Sequence, residues 1–270
     1  MPEDKKKYYQ ISSLEKGIRI LELLVEHKAL TVTAVAGQLG INRAGSHRFL
    51  ATLRDLGYVE KDQDNRYQLT FRILEMGMKI TQRFEIRQEA RRYMQELAAS
   101  FKETVNLGFW DGMDILHLDK IDSPEILRID APLWSKTPAY CTALGKAILA
   151  YLSEEELKHY LKKVRLVPHG PNTILSKKKL QEDLKITFER GFAVDNEELA
   201  HGLHCVAAPV FDHTAQSRYA LSISIPSMRL PRGGLKNLES KIRDICLQLS
   251  MHLGYRPAGA DAITRLKKEG

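Results

Sequence analysis

The sequence predicts an α+β fold in two parts, a small helical unit closed by a β-hairpin and then a larger domain of strands and helices. Three observations carry this. The stretch 42–69, NRAGSHRFLATLRDLGYVEKDQDNRYQL, reads as a capped helix followed directly by two short strands. Apolar residues keep helical spacing through the first hundred positions and then change to strand alternation at Val105, Leu107 and Phe109. Positive charge is concentrated early, with 17 Lys+Arg against 12 Asp+Glu in residues 1–92 and 24 against 22 in the remainder. An excess of that sign in the first third is the footprint expected for a phosphate-bearing partner.

The predicted divisions are 10–70, a DNA-binding unit; 71–84, a linker and dimerisation helix; 85–256, a second domain; and 257–270, a mobile tail. Residues 1–11 read as a disordered basic arm with Lys5, Lys6 and Lys7. Ser12-Ser13 caps a first helix with Leu14, Ile18, Leu21, Leu24 and Val25 as its apolar positions. Thr31 or Thr33 caps a short second helix that Gly40 closes. Asn42 then caps a third helix in which Phe49, Leu50, Leu53 and Leu56 face inward and Gly57 stops the chain. Tyr58–Glu60 and Arg66–Leu69 flank the turn Asp62–Asn65 as a basic-tipped hairpin. Helix, helix, tight turn, longer helix and hairpin is the order of a winged helix-turn-helix. Arg43, Ser46, His47 and Arg48 on the third helix, with Arg66 on the wing, are the candidate contacts to double-stranded DNA.

Residues 71–84 carry apolar side chains (Ile73, Leu74, Met76, Met78, Ile80) on more than one side, which predicts burial against a second subunit in a homodimer or homotetramer. A further amphipathic helix spans 85–101. Strands are expected at 105–109, 115–118, 126–129, 192–195, 205–211 and 219–225, with Asp111-Gly112 as a hairpin turn and 132–138 as a loop. Helices are expected at 141–152, after the Ser153/Glu156 capping box, from Ser176 to Gly191, and from about Leu235 to Leu253.

Composition excludes several classes. No apolar run approaches the roughly 18 residues that cross a bilayer, so no membrane partner is expected. The N-terminus MPEDKKKYYQ lacks the apolar region of a secretory signal. Cys141, Cys205 and Cys246 are odd in number and far apart, which points to the cytoplasm rather than to a disulfide framework. Phosphate-loop, dinucleotide and serine-elbow motifs are not found, so no cofactor is expected.

Two local patterns could hold chemistry. In 220–225, ALSISI, alternation places Ser222 and Ser224 together on one strand face, either as a polar pocket floor or as ties to neighbouring backbone. His201, His204 and Cys205 offer three zinc-type donors without a second cluster, so no metal is expected, and nothing local lowers the pKa of Cys205 as a nucleophile. Asp195, Glu197 and Glu198 are adjacent acids of the kind usually solvated in a loop.

Taken together these residues resemble the IclR family of bacterial transcriptional regulators. GFAVDNEE (191–198) followed by CVAAPVFD (205–212) fits that family's signature, HRFLATLRDLGYVEKD with RYQLTFRILEMG fits its DNA-binding half, and CTALGKA (141–147) resembles its Gly-Lys-Ala helix. The likeness covers roughly residues 10–255. It departs where many members have Pro-Lys-Ser-Thr-Val at the start of the recognition helix and this chain has Asn42-Arg43-Ala44-Gly45-Ser46. Ala44 and Gly45 lack the usual hydroxyls, which bears on the operator sequence. The resemblance implies a GAF-like second domain on a curved antiparallel sheet flanked by helices. Its small-molecule effector would meet Ala143, Leu144, Asp195, Cys205, Ser222 and Ser224. It also implies a non-catalytic regulator of catabolic operons. The alternatives are an enzyme built on the second domain with accessory DNA binding, and an interaction module with a vestigial pocket.

Overall fold

A computed structural model of the chain describes residues 11–81, 85–126, 128–230 and 236–257. The chain divides into two compact units, Met1–Phe84 and Glu85–Gly270.

In the first unit, α1 (Ser12–Glu26), α2 (Val32–Leu39) and α3 (Arg43–Asp55) precede the hairpin β1 (Val59–Lys61) and β2 (Tyr67–Leu69). The local signals act as the chemistry requires. Thr31 Oγ1 accepts from Ala34 N at 3.2 Å, and Asn42 Oδ1 accepts from Gly45 N at 2.7 Å. Gly40 ends α2 with φ 61° and Gly57 follows α3 with φ 80°, left-handed conformations that cost glycine little. Ile20, Leu24, Val35, Leu50, Leu53, Val59 and Tyr67 form the core. Leu30 and Tyr67 exchange backbone hydrogen bonds of 2.9 and 2.7 Å, which fastens the α1–α2 connection to the wing.

The first helix differs from its expectation. It begins at Ser12 after Ile11, which supplies no side-chain cap. Ile20 and Leu24 are its buried residues, while Leu14, Ile18 and Val25 are exposed. Helical spacing permits two apolar stripes on α1, and only the one containing Ile20 and Leu24 meets α2, α3 and β2. Helix α4 (Arg72–Thr81) follows the wing. Tyr58 Oη donates to Met76 Sδ at 3.5 Å, and the Arg72 guanidinium lies 5.0 Å over the Tyr58 ring. Phe71, Leu74, Met76 and Met78 are exposed on the single chain. Phe84 and the expected tail from 258 onward lie outside the described residues.

The second unit is a six-stranded antiparallel sheet in the order β5-β4-β3-β8-β7-β6, with helices on both faces. After α5 (Ile86–Phe101) come β3 (Thr104–Trp110), β4 (Asp114–Ile121), β5 (Lys136–Pro138), α6 (Ala143–Leu149), α7 (Glu154–Lys163) and α8 (Lys177–Arg190). Strands β6 (Ala193–Asn196), β7 (Leu203–Phe211) and β8 (Ser217–Pro226) and helix α9 (Lys236–His252) complete it. Register shifts at Leu107/Gly108 and Val210/Phe211 bend the ladders, and the sheet curls. Helices α5 and α9 cover one face, where Leu107, Val206, Ala208, Leu221 and Ile223 point; α6 lies on the other.

One predicted strand is absent and an unpredicted one replaces it. Ile126, Arg128 and Ile129 carry no ladder, and Leu127 lies outside the described residues. The edge of β4 is taken instead by Lys136–Pro138 from the expected loop, with Thr137 opposite Ile115. Pro138 is tolerated there because it ends a three-residue edge strand and need not donate to a neighbour. The predicted helix at 141–152 is shorter: a 3-10 turn over Ala139–Cys141 comes first, then Thr142 caps α6 through Gly145 N at 3.1 Å. Glycine is obligatory at 145, since a Cβ there would sit 2.1 Å from Ala139 O. Gly108 has the same use on the sheet, where a Cβ would meet Ile115 Cγ2 at 2.7 Å and Leu144 Cδ1 at 3.0 Å. Together they let α6 lie hard against the strands.

Candidate functional site

On α3 of the first unit, Arg43, His47 and Arg48 are exposed. The first N–H groups of a helix have no intrahelical partner, so the end carrying Arg43 and Ala44 is suited to a phosphate oxygen. Ser46 does not join them, which corrects the sequence expectation. Its side chain is fully buried and its hydroxyl donates to Val32 O at 3.1 Å, tying α3 to the start of α2. The spacing carries the reason: Ser46, Leu50 and Leu53 stand at i, i+4 and i+7 on the inward stripe.

The wing carries ion pairs of its own. Arg66 is exposed, but its guanidinium pairs with Asp62 at 2.8 Å and with Asp64 at 2.9 Å. Lys61 lies 5.2 Å over the Tyr67 ring. At the hairpin tip Lys61 and Arg66 are thus balanced by Asp62 and Asp64.

In the second unit, strand pairing brings the predicted effector residues onto the α6 face of the sheet. Asp195 stands opposite Cys205, Cys205 opposite Ser224, and Ser222 opposite both Ala207 and Asn106. Leu144 packs over Gly108 on the same face, and Ala143 opens its helix. All six residues are buried, none more than 8% exposed. Cys205 Sγ lies 3.3 Å from Ser224 Oγ. Asp195 Oδ1 accepts from Glu198 N at 2.7 Å and Leu199 N at 3.4 Å. Burial nevertheless pushes its carboxyl up to about 7, because desolvation outweighs those two donors and Lys146 while Glu198 adds repulsion.

Polar neighbours complete the face, among them Glu198, which with Asp195 is buried rather than solvated as the sequence leads one to expect of adjacent acids in a loop. Lys146, 1% exposed, donates to the Glu198 carboxylate and lies 3.0 Å from Asp183 Oδ2 without hydrogen-bond geometry. Burial raises the Glu198 pKa against the pull of Lys146. Asn106 Nδ2 donates to Ser224 Oγ at 3.2 Å. His117, buried opposite Gly108, bonds Thr137 Oγ1 through Nε2 at 3.1 Å, and desolvation lowers its pKa to about 4. Alternation could have found Asn106, since it falls between Val105 and Leu107 and so faces away from them. A lysine inside ALGKAIL was a comparable signal for Lys146.

Catalytic and metal chemistry find little support in this geometry. Burial raises the thiol pKa of Cys205, and takes those of Cys141 and Cys246 to about 12, the reverse of an activated nucleophile. His204 and Cys205 are consecutive in β7 and point to opposite faces, while His201 and His204 both turn to Glu197, at 3.1 and 3.6 Å. No group of three or more metal-type side chains converges among the described residues. Nor is any helix among them long and apolar enough to cross a membrane.

A winged helix-turn-helix with an exposed basic recognition helix, followed by a curled sheet that buries a polar face, defines a DNA-binding transcriptional regulator with a separate sensory domain. Comparison with known proteins gives the lineage. Residues 13–63 match the IclR helix-turn-helix domain, and residues 78–251 match the model of the bacterial transcriptional regulator IclR C-terminal domain. The HTH-type transcriptional regulator KdgR of Escherichia coli K12 is 32% identical over 246 residues, 91% of this chain and 94% of that protein. The transcriptional repressor IclR of the same organism is 31% identical over 225 residues, 82% of each. The crystal structure of the Thermotoga maritima IclR superposes with a TM-score of 0.76 at 31% identity, covering 91% of this chain and 100% of that one. The chain belongs to the IclR family, whose members bind DNA through the first domain and an effector through the second; these relatives are regulators, not enzymes.

Proposed function

We propose that this protein is a cytoplasmic repressor of catabolic genes, released from or fixed to its operator by a small carboxylate bound on the α6 face of the second unit. The observation that carries the reading is the line of buried polar groups Asp195, Cys205, Ser224 and Ser222 across adjacent strands of an otherwise apolar sheet. Buried polar groups are retained where they meet a partner. A carboxyl at Asp195 with a pKa near 7 is neutral in a large fraction of molecules at neutral pH, which removes the repulsion a second carboxylate would otherwise feel. The Ser222 hydroxyl then orients its oxygens. The regulator acts as a homodimer or homotetramer through the exposed apolar residues of α4, so its operator is a pseudo-palindrome.

The test pairs two titrations. Small carboxylic acids are titrated calorimetrically into wild type and Ser222→Ala/Ser224→Ala, while binding to the DNA upstream of its own gene is followed for wild type, Arg43→Ala and Arg48→Ala. A base-reading arginine costs about 1–3 kcal/mol on removal, and a phosphate contact lowers the salt slope by about 1. Operator affinity that ignores salt sinks the α3 reading. Acids that bind wild type and the serine variant equally well displace the effector from this face.

A further inference from the structure

The hydrogen bonds around Ser224 divide the labour at the proposed effector face in an unexpected way. Ser224 Oγ receives Asn106 Nδ2 at 3.2 Å and lies 3.3 Å from Cys205 Sγ, so both of its polar contacts are inside the protein. Asn106 itself is only 4% exposed, yet its amide oxygen has no hydrogen-bond partner. A second such atom stands on the same face: His117, 6% exposed, uses Nε2 for Thr137 and leaves Nδ1 unpaired. His117 is opposite Gly108, two residues along β3 from Asn106 and across the register shift at Leu107/Gly108. A buried acceptor left unpaired is costly, and the few that natural proteins keep call for an explanation.

We propose that the amide oxygen of Asn106 accepts a hydrogen bond from a hydroxyl of the effector, and that Ser224 is a positioning residue which aims that amide rather than the group that reads the ligand. The effector is then a hydroxylated acid of several carbons. An acid with no hydroxyl, or with a ketone in its place, leaves the acceptor unpaired. This rests on the effector reading of the α6 face and adds to it the residue that selects the ligand. It also moves the ligand contact from Ser224, where the family resemblance put it, to Asn106, which no motif marks.

Isothermal titration of the full-length protein with pentanoate, the 2-, 3-, 4- and 5-hydroxypentanoates and 4-oxopentanoate tests it. One hydroxy isomer should bind roughly ten- to hundred-fold more tightly than pentanoate and 4-oxopentanoate, the factor for satisfying a buried acceptor. In Asn106→Leu that ratio should fall to within about threefold while pentanoate affinity is kept, as in a cycle that isolates one contact. Asn106→Ser, which retains a short acceptor and is easier to fold, should give an intermediate ratio. Ser224→Ala should narrow the hydroxyl preference and Ser224→Thr restore it, whereas a purely structural serine would weaken every acid alike. Equal loss for all acids in Asn106→Leu, or a preference for the ketone, overturns the proposal and leaves the effector face standing. If no acid in the series binds wild type or raises its melting temperature, the effector reading falls and this one with it.

Discussion

Replacing Asp195 with Asn converts a pKa into a measurable change in stability with pH. Asn keeps the oxygen that accepts from Glu198 N and Leu199 N, so the backbone ties survive while the titrating proton is removed. The folded protein holds this carboxyl at about 7 against an ordinary 3.8 because the site is desolvated. A raised carboxyl is protonated in the folded state and ionised in the unfolded one between those two values. Its contribution is therefore complete below about pH 4 and is lost as pH rises through 7. Each unit is worth about 1.36 kcal/mol, so the loss totals about 4 kcal/mol at most. Asp195→Asn should gain on wild type by up to that amount between pH 4 and pH 8. His117 works in the opposite sense, since a histidine lowered to about 4 destabilises the fold as pH falls below its ordinary 6.5; being present in both proteins, it cancels in the difference. Urea unfolding followed by tryptophan fluorescence is the assay, because both tryptophans, Trp110 and Trp134, lie in the second unit and so monitor the domain that contains Asp195. A difference between the two proteins that stays flat across this range, or that shrinks as pH rises, refutes the reasoning.

Other outcomes follow from the corrected geometry. Ser46→Ala should destabilise the first unit by about 0.5–1.5 kcal/mol through the lost bond to Val32 O, lowering its melting temperature by several degrees, with operator affinity of the folded protein unchanged. A large affinity loss without a stability loss would put Ser46 back on the DNA face. Met76→Glu with Ile73→Glu should yield monomers by light scattering that bind operator poorly; a variant that stays dimeric places the interface elsewhere. Lys146→Met should destabilise the second unit by about 3–5 kcal/mol by leaving Glu198 and Asp183 without their cation, and a Glu198→Gln background should recover part of that in chemical unfolding.

The sequence was most informative where a single residue type decides the conformation. Asn42 and Thr31 as caps, Gly40, Gly57 and Gly191 as left-handed stops, and Ser153 with Glu156 as a capping box are local chemistry, and the structure contains each of them. It was least informative where two segments compete for one partner. Ile126–Ile129 has better strand propensity than Lys136–Pro138, yet β4 pairs with the latter. Residues 134 and 135 hydrogen-bond to His117 beside it and deliver that segment in register, which no single-segment propensity encodes. The same limit applies at the site. Alternation placed Ser222 and Ser224 correctly on one face, but the residue opposite Ser222 is Asn106, more than a hundred positions earlier in the chain.

The correction at Ser46 has a local cause. On α3 the polar residues were assigned outward by chemical type, although position on the wheel puts Ser46 with Leu50 and Leu53. On the wing Arg66 stays exposed while Asp64 and Asp62, two and four residues before it, reach its guanidinium. Exposed pairs of this kind contribute little to stability and are screened by salt. The outward face of α3 has Ala44 at the helix start beside the exposed Arg43, His47 and Arg48, so the proposed contacts to the operator come from long basic side chains rather than from short hydroxyls.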